Sequence, residues 1–468
     1  MVFNSINFLV FFVLLYVAYR ALGRQYVLQN RLLLLASYVF YGFWDWRFPA
    51  LMGITTVVDY MATRAMLSYP GKRQLFLGIG LLNNLGVLFI LKYYEFFQSN
   101  VLMALHQFGI EGSPLLVGVL LPVGISFYTF QRLTFVIDVY RRQSYSDVGL
   151  LDFALFVSFF PLLLSGPIER ANDLLPQLKR VRPIASRHLE EGVWLVAWGL
   201  FKKVYVADNL AGLVDPVFAD GWRGAGGEAL VAVYAYAFQI YCDFSGYSDV
   251  ARGIAKFLGF DVRVNFNLPY FATNPSDFWR RWHMSLSTWL RDYVYIPLGG
   301  SRQGSWITNR NLIVTMTLVG LWHGAAWTFV FWGLYHGALL IVYRLMAADP
   351  DGEHRRSRVG TMASILMMFH LTCLGWLLFR ATSLVQAFEL LSAIVSGLGP
   401  GHQTVVLLTQ LFGYLAILLV VQCVQWVKGD LLVLDRTPIA VRGVAYGVLF
   451  YFTVLHGGTS TSFIYFQF

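Results

Sequence analysis

The chain is poor in charge: only 13% of its 468 residues are Asp, Glu, Lys or Arg, while 57% are hydrophobic. A soluble domain carries about a quarter charged residues to cover its surface, so a water-soluble core-and-shell arrangement is excluded. Cysteine is scarce too. Cys242, Cys373 and Cys423 are odd in number and lie in apolar stretches, which argues against a disulfide framework or a zinc site. An HExxH motif, a Walker phosphate loop and a GxGxxG turn are all missing. Their chemistries therefore have no footing, and neither a bound metal nor a bound cofactor is expected.

What remains is apolar sequence in long runs, with a mean hydropathy of +0.57. A bilayer crossing needs about 20 such residues. Candidate spans run from Ile6 to Leu22, Leu32 to Phe48, Ala50 to Leu67, Leu75 to Phe97, Pro114 to Ile137, Gly192 to Leu213, Leu230 to Ala251, Leu312 to Tyr343 (one or two segments), Thr361 to Phe379, Val405 to Val427 and Val441 to Leu455. The expected fold class is all-α, a polytopic integral membrane protein of roughly 11–13 transmembrane or re-entrant helices. The first run has no basic residue before it and no small-residue cleavage site after it, so it reads as a retained span. The net charge of +9 lies in the loops and reads as topology information, not as a nucleic-acid footprint.

Basic loops occur at Arg20/Arg24/Arg31, Arg64/Lys72/Arg73, Arg141/Arg142, Arg170 to Arg187, Arg252 to Arg310, Arg344 to Arg358 and Lys428 to Arg442. Placing them all on the cytoplasmic side leaves two misfits. Leu150 to Ser165 is short, contains Pro161 and has basic loops on both sides, so it should dip in and return or lie at the interface. Leu312 to Tyr343 begins and ends on the same side, which requires a tight hairpin or a broken helix, permitted by Gly320, Gly324 and Gly333. Irregular backbone at membrane depth is tolerated only beside protein or a water-filled cavity. A polar cavity reaching the midplane is therefore the expected site.

The chain is organised around residues 274–337. Asn274, Pro275 and Asp277 form a helix start, with a cap, a first-position proline and an acid in the first turn. Trp282, Leu286, Trp289, Leu290, Tyr293 and Ile296 then recur at helical spacing, with Arg280, Arg281 and Arg291 between them. This pattern predicts one amphipathic helix lying on the bilayer surface. It leads into an apolar segment whose imidazole, His323, is costly at that depth. His323 is either a structural histidine or a catalytic one, and its flanks Trp322 and Gly324 in a re-entrant segment point to catalysis by a general base.

On a continuous helix His336 would stand about 20 Å and about 220° away from His323, so either the helix breaks or His336 serves packing. His283 is either delivered to the cytoplasmic mouth by the surface helix or is an interfacial histidine beside Trp282. His106, His188, His354 and His402 read as solvated loop residues, and His370 and His456 as span residues without an acidic partner. Asp349 and Asp351 form a DPD turn. Asp243, Ser245 and Asp249 make a polar patch that either lines a cavity or joins two helices.

FWRRWHMSLSTWLRDYVYIPLGG followed by LWHGAAWTFVFWGLYHG resembles the signature of the membrane-bound O-acyltransferase family, in its bacterial alginate O-acetyltransferase-like branch. The resemblance extends to LLLLASYVFYGFWDWRF, PVGISFYTFQ, SFFPLLLSGPIER, FSGYSDVARGIAKFLGF with NFNLPY, and the terminal FIYFQF, nearly the whole chain. It implies a single integral membrane domain over 1–468 with its core signature at 274–337. It also implies a central conduit that joins a cytoplasmic acyl donor to an acceptor across the membrane.

His323 matches the family's characteristic histidine and His283 its second, which makes both candidate catalytic residues. Asp277 is the nearest match to an Asn or Asp found near RRWH in related proteins. With Arg280, Arg281, Trp282, Arg291 and Trp322 it forms the candidate substrate-binding set. The expected donor is acetyl-CoA, its phosphates met by Arg280, Arg281, Arg291, Arg302 and Arg310. The expected surroundings are membrane lipid, a cytoplasmic (inner) membrane crossed many times, an acceptor polysaccharide such as alginate, and a periplasmic serine hydrolase-like acetyltransferase partner. Two other readings stand beside this one. One is a transporter or export conduit without chemistry; the other is D-alanyl or other acyl transfer from a carrier thioester.

Overall fold

Long apolar runs leave the backbone one way to satisfy its hydrogen bonds away from water, which is within helices. The computed structural model describes residues 1–110, 113, 121–141, 145–346, 357–397, 399, 401–459, 461 and 463–464, and among them it contains helices and no strand. Residues 114–120 of one expected span, Arg142, the Asp349/Asp351 turn, His354 and the FIYFQF motif beyond Ile464 lie outside the described residues. The segment Pro70–Gln107 and the helices Trp327–Met346, Arg358–Arg380 and His402–Lys428 are long and apolar enough to cross a membrane. Ile6–Ala21 and Ile439–Leu455 are shorter apolar helices.

The chain divides into two compact units. The first comprises Met1–Gly192 with Ile254–Arg263. Its interior carries charge. Asp59 and Arg132 are fully enclosed 3.7 Å apart, and the Asn83 and Asn84 amides donate to the Asp59 carboxylate at 2.8–2.9 Å. Arg182 donates to the Tyr19 hydroxyl at 2.9 Å, to Gln29 at 3.1 Å and to the carbonyls of Gln177 and Leu178. The expected misfit at 150–165 is here a helix Leu150–Ser158, a break at Phe159 and a single turn Phe160–Leu163, buried from Phe153 onward while Leu150 and Leu151 are exposed. The break is possible because the Ser37 hydroxyl accepts the Phe160 N–H at 3.1 Å.

The second unit comprises Val193–Gly253 and Val264–Phe468. Its centre is the expected hairpin, formed by helices Ser305–His323 and Trp327–Met346 with the chain reversing at Gly324–Ala326. The glycines act here through size, not through unusual dihedrals. A Cβ on Gly320 would stand 2.1 Å from the Phe329 carbonyl oxygen, and one on Gly333 2.3 Å from that of Met316, so the two backbones touch. His323 thus ends the first arm of the hairpin, and the continuous helix that would separate it from His336 is absent.

The surface helix expected over 274–296 differs from what is found. Asn274 caps as anticipated, its side chain accepting the Asp277 N–H at 2.8 Å. The helix then stops at Arg281, and a second one begins at Met284. Between them His283 adopts a left-handed backbone (φ 42), a conformation that costs a non-glycine residue about 1–2 kcal/mol. It is held there by pairing with 265–267: Asn267 N donates to Arg281 O and Met284 N to Asn265 O, each at 2.9 Å. Trp282 and His283 are therefore fully buried in protein, and Trp289 nearly so. The two tryptophans do not sit at a water boundary.

Candidate active site around two histidines

His323, 2% exposed, is enclosed by aromatic rings. Its imidazole lies 4.9 Å from the Trp322 ring, 5.0 Å from Trp332 and 5.1 Å from Phe379. The hairpin supplies the two tryptophans and the end of the Arg358–Arg380 helix supplies Phe379. The His283 ring centroid is 5.8 Å from Trp322, so that indole is a neighbour of both imidazoles. Sequence separates these histidines by a helix and a basic loop, and the fold brings both against one indole.

The partner of His283 fixes its proton. Asn265 Oδ1 lies 3.1 Å from His283 Nδ1, 2.8 Å from the Ser285 hydroxyl and 3.3 Å from the Ser285 N–H. A backbone N–H only donates, so the Asn265 atom facing it is the oxygen, and Nδ1 must donate to it as well. Nε2 then carries the lone pair in the neutral ring, the form a general base requires. Asn265 is itself steered by Nδ2 donating to the Ser248 hydroxyl at 3.2 Å. Sequence reading missed Asn265 as a site residue, although NFNLPY was visible as a motif.

The remaining candidates separate into two groups. Asp277 accepts from Thr273 N at 3.1 Å and from Arg281 Nε at 2.8 Å, so both ends of that pair hold the short helix together. Trp282 is stacked inside, 4.8 Å from Trp376. Arg291 is paired with Asp292 at 2.8 Å, and Arg310 donates to Leu298 O and Asn311. Arg280, and with it the Arg291 already paired with Asp292, borders a 510 Å³ cavity, mostly apolar, whose wall includes Trp279, Met284, Leu290 and Leu340. Met284 adjoins His283 in sequence, and Trp279 packs on His336 at 5.2 Å.

His336 is enclosed by rings, as the packing reading expects. It lies against Phe278, Trp279 and Trp332, and a Cβ on Gly375 would come within 2.8 Å of its Nε2. His106, His188 and His402 fall on helices and not in loops; His106 and His402 are exposed and His188 is half-buried. His370 and His456 are exposed, bonded to Leu366 O and the Tyr451 hydroxyl. The Asp243/Ser245/Asp249 patch joins helices, through lysines more than hydroxyls: Lys202 donates to Ser245 at 2.9 Å and to Asp249 at 2.7 Å. Among the described residues no group of His, Cys, Asp and Glu is arranged to hold a metal.

Residues 40–379 match the model of the membrane-bound O-acyltransferase family. The chain is 39% identical over 409 residues to the probable alginate O-acetylase AlgI of Pseudomonas putida, covering 85% of this chain and 80% of that one. It is 41% identical to the probable alginate O-acetylase of Azotobacter vinelandii (85% and 78% covered) and 35% identical to the peptidoglycan O-acetyltransferase of Helicobacter pylori (84% and 78%). A conduit without chemistry gives way to these matches. With family match and identities both spanning most of its length, the chain belongs to the membrane-bound O-acyltransferase family and is a multi-pass membrane O-acyltransferase.

Proposed function

We propose that the chain takes acetyl groups from acetyl-CoA at the cytoplasmic face of an inner membrane and passes them across for O-acetylation of a polysaccharide. The observation that carries this reading is the packing of the His323 and His283 imidazoles on one indole, Trp322, the second imidazole presenting a lone pair at Nε2. Relatives named for alginate and peptidoglycan acetylation support a glycan as acceptor. The apolar cavity bordered by Arg280 and Arg291 supports a donor with an extended arm and anionic groups.

The chemistry has two balanced routes through His323. In the first, its imidazole removes the proton of an acceptor hydroxyl as the oxygen attacks the thioester carbonyl; the C–S bond breaks and the CoA thiolate takes up the proton. In the second, an imidazole nitrogen attacks the carbonyl and the C–S bond breaks to expel the thiolate; the hydroxyl oxygen then attacks the acyl-imidazole, the C–N bond breaks to restore the ring, and the hydroxyl proton passes by way of an imidazole to the thiolate. His283, held as the Nδ1–H tautomer, is the second proton carrier in either route. The final acceptor is reached directly or through a serine hydrolase-like acetyltransferase on the far side.

Sidedness tests the proposal. Inverted membrane vesicles holding the chain, its partner and glycan should release CoA from acetyl-labelled acetyl-CoA and collect label in luminal glycan, whereas right-side-out vesicles should not. Equal labelling from either side, or label taken only from a carrier-protein thioester, would sink it.

A further inference from the structure

One ionic cluster of the second unit takes no part in that chemistry. Lys203 lies on the π-helical stretch Phe201–Ala207, Asp208 begins the next helix, and Asp243 sits on the long helix Gly226–Phe257. All three side chains are essentially enclosed, and the ammonium stands 2.7 Å from each carboxylate. Two buried carboxylates around one cation keep acceptor sites that other donors must fill.

Those donors come from the last described residues. Ile464 N donates to Asp243 Oδ2 at 2.7 Å, the Thr461 hydroxyl to Asp208 Oδ1 at 2.6 Å, and Lys203 returns a bond to Thr461 O at 3.1 Å. Just upstream, Gly458 N donates to Val204 O at 3.0 Å and Asn209 Nδ2 to His456 O at 2.9 Å. A Cβ on Gly458 would lie 2.5 Å from the Asp208 carbonyl carbon, so the segment is laid directly on that backbone.

Thr461 and Ile464 are tied to buried charge, an arrangement that adds little stability for its desolvation and can instead fix position. What it positions is visible. Phe463, 1% exposed, packs 4.7 Å from Tyr247 and 5.9 Å from Phe244, and Phe244 meets the His283 imidazole edge-on at 4.7 Å.

We propose that Lys203, Asp208 and Asp243, by holding Thr461 and Ile464, set Phe463 as the rear wall of the His283 site, which makes Asp243 and Phe463 positioning residues for acyl transfer. The proposal rests on the catalytic reading of His283.

The test uses full-length protein with two readouts. Diethyl pyrocarbonate labelling of His283, followed by peptide mass spectrometry, needs no donor, acceptor or partner; acetyl-CoA turnover by vesicles supplies kcat and KM. Loss of a buried phenyl ring loosens its surroundings by several kcal/mol, so Phe463→Ala should label His283 at least about 10-fold faster than the unaltered chain. Its kcat should fall by a similar factor with the donor KM unchanged, and Phe463→Leu should recover most of both. Asp243→Asn should follow Phe463→Ala in direction.

If Phe463→Ala is not monodisperse, Thr461→Val carries the same readouts, because it removes a tail bond and no core volume. Monodisperse variants whose His283 stays as protected as in the unaltered chain would overturn the clamp. Faster labelling with no turnover even in the unaltered chain would uphold the clamp and sink the donor assignment alone.

Discussion

Replacing Asn265 by Ala removes one oxygen that three donors share: His283 Nδ1, the Ser285 hydroxyl and the Ser285 N–H. All are buried, and a buried donor left without its acceptor loses about 1–3 kcal/mol. Two consequences follow. The imidazole is no longer held as the Nδ1–H tautomer, and the left-handed turn at His283 loses part of its support. If one such loss, about 1.4–3 kcal/mol, falls on the transition state, acetyl transfer slows about 10- to 100-fold. His283→Ala alone should remove the about 10²–10⁴-fold worth of a positioned proton carrier.

Since Asn265 acts through His283, the double variant should be no slower than His283→Ala by more than a small factor. The assay is CoA release from acetyl-CoA by vesicles, with folding checked by monodisperse elution. Asn265→Ala at full rate, or its whole effect persisting in the His283→Ala background, would refute the tautomer argument.

Three further outcomes follow from the packing. Arg280→Ala should raise the donor KM by about 5-fold with kcat kept, since an exposed charge pair carries about 1 kcal/mol, whereas Arg281→Ala should leave KM alone and loosen the capped helix that its bond to Asp277 steadies. Gly333→Ala should force the hairpin arms apart, its new methyl standing 2.3 Å from the Met316 carbonyl, and lower thermal stability in detergent by about 1–3 kcal/mol. Asp59→Leu should cost about 3–5 kcal/mol by stranding the enclosed Arg132 guanidinium, read as a fall in the same melting temperature with no change in donor KM.

The hairpin was legible without coordinates because charge bookkeeping alone made 312–343 enter and leave on one side. The cap at Asn274 was legible because its signals are local. The break at His283 was not: helical spacing runs unbroken from Trp282 to Ile296, no glycine or proline interrupts it, and the left-handed turn is imposed by pairing with Asn265 and Asn267, far back in the chain. The same limit hid Lys202 and Lys203 inside an expected span: Asp208 is close in sequence to Lys203, but Asp243 and Asp249, which complete the pairing, stand on another helix. Periodicity also put Trp282 and Trp289 on a bilayer surface, since an apolar stripe reads alike whether lipid or protein covers it. Asp277 and Arg281, both candidates for substrate, hold each other.

The most direct test of the account is acetyl transfer by His323→Ala beside the unaltered chain, with donor, partner and glycan supplied and both proteins monodisperse. The account predicts that CoA release and glycan labelling occur in the unaltered chain and disappear in the variant. Equal release and labelling by the two proteins would contradict it and leave His323 a packing residue at the turn of the hairpin.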